Sequence, residues 1–244
     1  MEFSDFFDYC KAVFAENPSL PAVDEDKAHK LFLLTNTMLD VNKTMNLTAI
    51  KDEKAIILRH YADSLMISSF LAPSSCMIDV GCGAGFPTLP LAIFRPDLKI
   101  TALDSTAKRI DYVSRTAKML GLDNVTAIAE RAEVLGNSKE YRETFDYATA
   151  RAVAALPILT ELCLPFVKIG GQFVAMKAQK GDEELALSSN AITKCGGELS
   201  SSNFLSLVDV DQNEETRTII VINKSKQTPK EFPRHYSKIS KRPL

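Results

Sequence analysis

The spacing of apolar residues changes character near residue 70. Before it, Phe3, Phe6, Phe7, Cys10, Val13 and Phe14 recur every three or four positions, which predicts one face of a helix. Asn17-Pro18 ends that helix, because a residue before proline is pushed out of the α region. Asp24 is placed to cap a second helix carrying Leu31, Leu34, Met38 and Val41. Asn42 to Thr48 reads as a polar connection, and a third helix aligns Ile57, Tyr61, Leu65 and Ser68. From Cys76 onward, short β-branched runs alternate with amphipathic ones. Strands are predicted at 76–80, 99–103, 124–128, 145–150, 171–177 and 216–223, with helices at 87–94, 107–120, 154–168 and 181–194. Gly170-Gly171 is expected to stop the helix before the fifth strand. A further strand around 203–209 is joined to 216–223 by the short acidic stretch Asp209 to Glu215, which predicts an antiparallel hairpin. The alternation predicts an α/β fold, a doubly wound, mostly parallel seven-stranded sheet with right-handed crossovers. Residues 1–70 then form a helical extension, 71–223 the sheet domain and 224–244 a tail.

Composition bounds this picture without redirecting it. With 244 residues, 45% hydrophobic and 25% charged, one large α/β domain with an appendage is expected. No long uncharged apolar run suggests a membrane span, and the N-terminus lacks the basic and apolar regions of a signal peptide. Five scattered cysteines without a C-x-x-C pair read as reduced thiols of a cytoplasmic protein. No metal site and a monomer are expected. The net charge of −2 conceals an asymmetry. The tail concentrates Lys224, Lys226, Lys230, Arg234, Lys238, Lys241 and Arg242 against a single acid, on an otherwise acidic body. A local basic stretch of this kind suggests contact with a polyanion, with RNA phosphates as the candidate. Arg217 and Lys177 are weaker candidates.

The stretch with most chemistry is Asp79-Val80-Gly81-Cys82-Gly83-Ala84-Gly85-Phe86-Pro87. It follows a predicted strand and precedes a predicted helix. The dinucleotide fingerprint needs a third glycine where Phe86 stands, and a phosphate loop needs a Lys that is absent. What remains, D-x-G-x-G-x-G, resembles the S-adenosylmethionine (SAM) loop of doubly wound methyltransferases. Asp104 supports that reading, since it ends the next predicted strand at the distance where an acid holds a ribose diol in nucleoside-binding βαβ units. Ligands of open α/β sheets sit beyond the carboxyl ends of the strands, so Glu130 to Glu133 and Thr149 to Ala152 face the same cleft. Glu133 is placed to take an exocyclic amine or to serve as a helix N-terminal acid. Arg151 offers a cation to the methionine carboxylate, to the target or to a surface ion pair. Taken alone, Arg59 and Asp63 read as a surface i,i+4 pair, and His60 as an ordinary satisfied histidine.

Asn46-Leu47-Thr48-Ala49-Ile50, Arg59-His60-Tyr61-Ala62-Asp63-Ser64-Leu65, Asp79 to Ile93, Phe145 to Ala152 and Pro233-Arg234 together resemble the bacterial ribosomal small-subunit methyltransferase G family. The resemblance runs over nearly the whole chain. It implies a class I SAM-dependent methyltransferase fold and methylation of N7 of guanine 527 in 16S ribosomal RNA of the small subunit. Carried over by motif, the cofactor contacts fall on Gly81, Phe86, Asp104, Ser105, Thr106, Ala132, Glu133 and Arg151. Cys82 and Thr88 stand where relatives often have Ser and Gly, so Thr88 is expected to tighten the helix start. The region after the fourth strand lacks the Asn/Asp-Pro-Pro-aromatic loop of enzymes that methylate exocyclic amines. Cys163 lacks the strand-end setting of a cytosine-C5 nucleophile. Guanine N7 carries a free lone pair, so no general base is assigned. His60 and Asp63 are candidate target-side contacts. Three rivals use less of the chain. A nucleotide-dependent oxidoreductase fails at Phe86, a non-enzymatic RNA-binding domain leaves the glycine loop unused, and a small-molecule or protein methyltransferase leaves the tail charge unexplained.

Overall fold

The computed structural model describes residues 1–179 and 181–244. Two long helices, α1 (Phe3–Glu16) and α2 (Glu25–Met45), begin the chain. Phe6, Cys10, Val13 and Phe14 form the buried face of α1, as their spacing requires. Asp24 caps α2 by accepting the Lys27 N–H at 2.9 Å. The next helical stretch is continuous but irregular: α3 (Glu53–Ile56), a π-helical segment (Ile57–Ala62), then α4 (Asp63–Leu65). A π segment carries one extra residue per turn and is frequent beside functional sites. This one carries Arg59 and His60.

Seven strands follow: β1 (Cys76–Val80), β2 (Lys99–Asp104), β3 (Val125–Ala129), β4 (Phe145–Arg151), β5 (Val167–Lys177), β6 (Gly197–Val208) and β7 (Glu214–Lys224). Between and after them run α5 (Thr88–Phe94), α6 (Ala107–Met119), α7 (Ala132–Leu135), α8 (Leu156–Cys163), α9 (Gly181–Ala186), α10 (Ser189–Lys194) and α11 (Tyr236–Lys241). The sheet order is β3-β2-β1-β4-β5-β7-β6. The pairings from β3 across to β5 are parallel, whereas β7 runs antiparallel to both β5 and β6. The chain steps outward from β1 to β3 and then returns to the other side of β1 with β4. That reversal opens a crevice at the carboxyl ends of β1 and β4.

Two expected boundaries are corrected. Gly170-Gly171 do not stop a helix. The α8 helix ends at Cys163 and a 3-10 turn, Leu164–Phe166, leads straight into β5. The two glycines sit within β5 where its register against β4 shifts, between the pairs Phe145–Val167 and Tyr147–Gln172. Gly170 has φ +85, and a Cβ on Gly171 would collide with the Asp146 carbonyl. Both positions therefore serve a strand irregularity. The helix expected over 181–194 is two short ones, α9 and α10, with the Ser188 hydroxyl donating to the Glu184 carbonyl at 2.6 Å between them.

The N-terminal helices share one core with a face of the sheet. Phe14 stacks on Phe94 of α5 with centroids 5.6 Å apart. The fully buried Tyr61 exchanges a 2.7 Å hydrogen bond with Thr35 of α2. Asn17 ties the end of α1 to β6, donating to the Val208 carbonyl at 2.7 Å and accepting its N–H at 2.9 Å. The tail also packs: Phe232 and Ile239 are buried against the other face.

Candidate active site

The glycine turn after β1 is built from three left-handed residues with distinct reasons. Gly81, Gly83 and Gly85 have φ of +78, +56 and +88. A Cβ on Gly81 would lie 2.6 Å from Val153, and one on Gly85 2.6 Å from Leu89. Those two glycines allow close packing. A Cβ on Gly83 would meet nothing within 4 Å, so there the backbone itself borders open space. The turn is pinned to β2, since the Gly81 and Cys82 N–H groups donate to the Leu103 carbonyl at 2.7 and 3.0 Å. The Asp104 carboxylate extends that hold, accepting the Gly83 N–H at 3.0 Å and the Thr106 N–H at 2.8 Å. Each oxygen takes one of these donors and retains capacity for another.

Asp79, fully buried beneath the turn, accepts the Thr88 hydroxyl at 2.7 Å and its N–H at 3.3 Å. Thr88 thus fastens the start of α5. The other Asp79 oxygen has no hydrogen-bond partner. Burial raises the Asp79 carboxyl to about 6, although the Thr88 hydrogen bonds and Arg151 oppose the shift. Cys82 and Cys163 are buried, and burial pushes both thiols well above their ordinary range. Neither is an activated nucleophile. All five cysteines are unpaired.

A stack of rings and a guanidinium forms the next wall. His60 lies flat on Phe86, with centroids 4.4 Å apart and planes 8° from parallel. The Arg151 guanidinium sits 5.4 Å from the same phenyl ring. His60 Nε2 shares a 2.8 Å hydrogen bond with the Thr48 hydroxyl. Burial, and then the charge of Arg151, lowers the His60 imidazole to about 4, so the ring is neutral at physiological pH. Arg151 donates to Asp63 at 2.7 Å and to the Arg59 carbonyl at 3.1 Å. The other Asp63 oxygen accepts Arg217 Nε at 2.6 Å. Arg217 and Arg59 both reach Glu215, each at 2.8 Å. Arg59 and Asp63 therefore do not form the expected i,i+4 pair. Each bonds across the fold instead, and Arg217 is already engaged.

Gly81, Phe86, Asp104, Ser105, Thr106, Ala132, Glu133 and Arg151 all line one cleft of about 520 Å³. Leu47 and His60 from the N-terminal extension complete it on one side, and Tyr236 on another. Leu47 lies in a motif of the family resemblance, which does not assign it to the cleft, and no motif points to Tyr236. Glu133 is 5% exposed, and one of its oxygens accepts the Tyr236 N–H at 3.3 Å. A second depression, also about 520 Å³, lies on the far side of His60 and Arg151, where Asp63, Lys177, Glu215 and Arg217 meet. Lys177 is tied to the Ala154 carbonyl and Glu184, at 2.8 and 2.7 Å.

The basic tail divides into two groups. Lys224 is 1% exposed, with its ammonium bonded to the Leu164 carbonyl, the Thr228 hydroxyl and Glu143. It is a structural charge, and its assignment as a phosphate contact is corrected: it is the last residue of β7 and its side chain turns inward. Arg234 is corrected in the same sense, because it forks onto the fully buried Glu161 at 2.8 and 2.6 Å. Lys226, Lys230, Lys238, Lys241 and Arg242 are exposed. Among the described residues, no cluster of His, Cys, Asp or Glu is arranged to hold a metal ion, and no helix is long and apolar enough to cross a membrane.

The strand order, the glycine turn after β1 and the acid ending β2 place the chain in the class I methyltransferase fold. Solved structures agree. A mutant of the 16S rRNA (adenine(1408)-N(1))-methyltransferase from Catenulisporales acidiphilia aligns with a TM-score of 0.53, at 11% identity over 64% of this chain and 88% of that one. TYW2 from Pyrococcus horikoshii, in complex with MeSAdo, gives 0.53, at 14% identity over 67% and 62%. The particular family comes from sequence. The model for the rRNA small subunit methyltransferase G family matches residues 27–213. The ribosomal RNA small subunit methyltransferase G of Alkaliphilus metalliredigens is 42% identical over 91% of this chain and 92% of its own. That of a Geobacillus strain is 44% identical over 85% and 87%. The chain belongs to the rRNA small subunit methyltransferase G family.

Proposed function

We propose that this chain transfers a methyl group from SAM to N7 of guanine 527 in 16S ribosomal RNA, acting in the cytoplasm as a monomer on the small ribosomal subunit. The observation that carries the reading is the convergence of the glycine turn, Asp104, the turn after β3 and Arg151 on one cleft in a chain of this family. The residues fit the cofactor. Gly83 leaves open space along the turn, and Asp104 has oxygens free to accept a ribose diol beside the two backbone donors it already holds. Ser105 and Thr106 continue that edge, Ala132 and Glu133 bound the nucleobase end, and Arg151 offers a cation for a carboxylate. Bound there, SAM supplies an electrophilic methyl carbon on a sulfonium.

The chain's own task is then positioning. Asp104 fixes the nucleoside, and the Phe86–His60 stack walls the opposite side. Arg151, clamped by Asp63, holds one charge in a fixed place. An acceptor that keeps a free lone pair at neutral pH asks for alignment and exclusion of water, not for proton removal. Three features support N7. His60 is a weak base, lowered to about 4 and hydrogen-bonded to Thr48, the β4 end lacks the proline device for exocyclic amines, and Cys163 is buried inside α8.

N7-methylguanine weakens its glycosidic bond, so reduction followed by aniline cleaves the strand at that base. Ribosomal RNA from cells lacking this gene is expected to lose one cleavage site, at guanine 527. Purified protein, SAM and unmodified small subunits should restore it. Retention of the site in the deletion strain, or a methyl group placed by mass spectrometry on N1, N2 or a ribose oxygen, would refute the target.

A further inference from the structure

Tyr236 belongs to the C-terminal segment yet lines the cleft formed by Gly81 and Asp104. Its position is fixed from several directions. Its N–H donates to Glu133 at 3.3 Å. Two residues earlier, Arg234 bonds Glu161 through its own N–H as well as its guanidinium, at 2.9, 2.8 and 2.6 Å. Asn137 bridges the Glu133 and Pro233 carbonyls at 2.9 and 3.0 Å. Ile239 is fully buried one helical turn beyond. Tyr236 itself stays 37% exposed, a large apolar side chain held at the cleft edge without being packed into the core.

We propose that Tyr236 is a cofactor-contact residue, an aromatic wall for the nucleobase of the bound nucleoside, delivered by the C-terminal segment. The inference rests on the cofactor reading above. If Asp104 at the end of β2 holds the ribose, the attached base extends toward the neighbouring strand β3. There the turn from Glu130 to Glu133 and the side chain of Leu162 bound the cleft together with Tyr236. A purine needs a flat apolar partner on its face, and aromatic side chains supply one irrespective of which base is present. The same short helix presents Lys238 and Lys241 to solvent. The segment therefore contributes to both the outer basic surface and the inner wall of the cleft, and its removal costs cofactor affinity as well as RNA affinity.

Titration calorimetry of the full chain with S-adenosylhomocysteine tests this. Stacking on an aromatic side chain contributes about 1–3 kcal/mol per base by alanine substitution, so Tyr236→Ala should weaken binding about fivefold or more. Tyr236→Phe should stay within about twofold of wild type, because the ring and not the hydroxyl makes the contact. The double variant Lys238→Gln, Lys241→Gln should bind as wild type does. Unchanged affinity in Tyr236→Ala overturns the inference while leaving the cofactor reading intact. A wild-type chain that does not bind the probe overturns both. If Tyr236→Ala melts earlier without ligand, Tyr236→Leu decides: it keeps apolar bulk but no flat face, so wild-type affinity in that variant overturns the aromatic contact and a loss supports it.

Discussion

Two acids at the cleft mouth show how the same side chain does different work in different company. Asp104 accepts backbone N–H groups from Gly83 and Thr106, and its nearest cation, Arg109, stands 3.9 Å away and partly exposed. Asp63 is gripped by Arg151 and Arg217 at 2.7 and 2.6 Å, and those arginines continue to the Arg59 carbonyl and to Glu215. Asp104 shapes a turn and retains capacity for a ligand. Asp63 holds three separate elements together, namely the start of α4, the end of β4 and the start of β7. One half of the mouth is therefore a surface supported by backbone hydrogen bonds, and the other half is a charge network whose members stabilise one another.

Replacing each acid by alanine should separate the two roles, and this is the largest effect expected. Asp63→Ala leaves Arg151 and Arg217 facing each other at 14% and 17% side-chain exposure. Removing one partner of a buried pair costs about 3–5 kcal/mol, and the partial exposure here favours the lower end. Urea denaturation should show that loss. Asp104→Ala should instead cost less stability, since only the Gly83 and Thr106 N–H groups lose their acceptor, and weaken S-adenosylhomocysteine binding by about 1.5–3 kcal/mol for each hydrogen bond to the carboxylate. If the stability loss falls on Asp104 and the affinity loss on Asp63, the division of labour drawn here is wrong.

His60 sits on the seam between the halves and makes the comparison depend on pH. Its imidazole is lowered to about 4 by burial and Arg151, against an ordinary value near 6.5. The folded state therefore resists protonating it. The stability this provides is full above about 6.5 and is lost as pH falls through the window down to 4, by roughly 3 kcal/mol in total. Asp79 acts with the opposite sign. Its carboxyl is raised to about 6, so its contribution is full below the ordinary acid value and is lost as pH rises toward 6. The two oppose each other between pH 4 and 6. The stability difference between wild type and His60→Gln, followed by urea titration, should shrink steadily from pH 7 to pH 4. A difference that stays constant across that range would place the imidazole in solvent.

The cofactor half was legible in the sequence because its determinants are local. Three alternating glycines, the apolar runs around them and the acid ending the next strand fall within one βαβ unit, and their geometry follows from turn and strand rules. The full set of eight came from the family resemblance and not from local rules, and those residues line one cleft. The charge network was not legible. Arg217 to Asp63 and Arg59 to Glu215 join residues 154 and 156 positions apart, and nothing in helical spacing distinguishes Arg59 from a solvated surface charge. The π segment hid from periodicity for a related reason, since one added residue per turn rotates Arg59 and His60 without breaking the apolar stripe. Gly170-Gly171 misled because glycine marks a helix end and a strand irregularity equally well. In the tail, composition revealed seven positive charges but not which of them the fold had already paired.

That pairing gives the smallest and most specific test. The comparison now lies within the tail, between Lys224, which is 1% exposed and bonded to Leu164, Thr228 and Glu143, and Lys238 or Lys241, which face solvent. A lysine that neutralises a phosphate of single-stranded RNA adds about −0.7 to the slope of log affinity against log salt. Lys238→Gln and Lys241→Gln should each make the slope shallower by about that amount, with little change in stability. Lys224→Gln should leave the slope unchanged and lower stability instead, because it removes the cation beside Glu143 and the donor to the Leu164 carbonyl beneath the tail. Burial also lowers the Lys224 ammonium from its ordinary value, with Glu143 opposing that shift, so the charge there depends on its partner. Filter binding of a 16S fragment across a salt series, beside urea titration of the same three variants, measures both quantities. Equal slopes for Lys238→Gln and wild type would make the outer face of α11 a solvated surface, and the RNA would then have to be held elsewhere on the molecule.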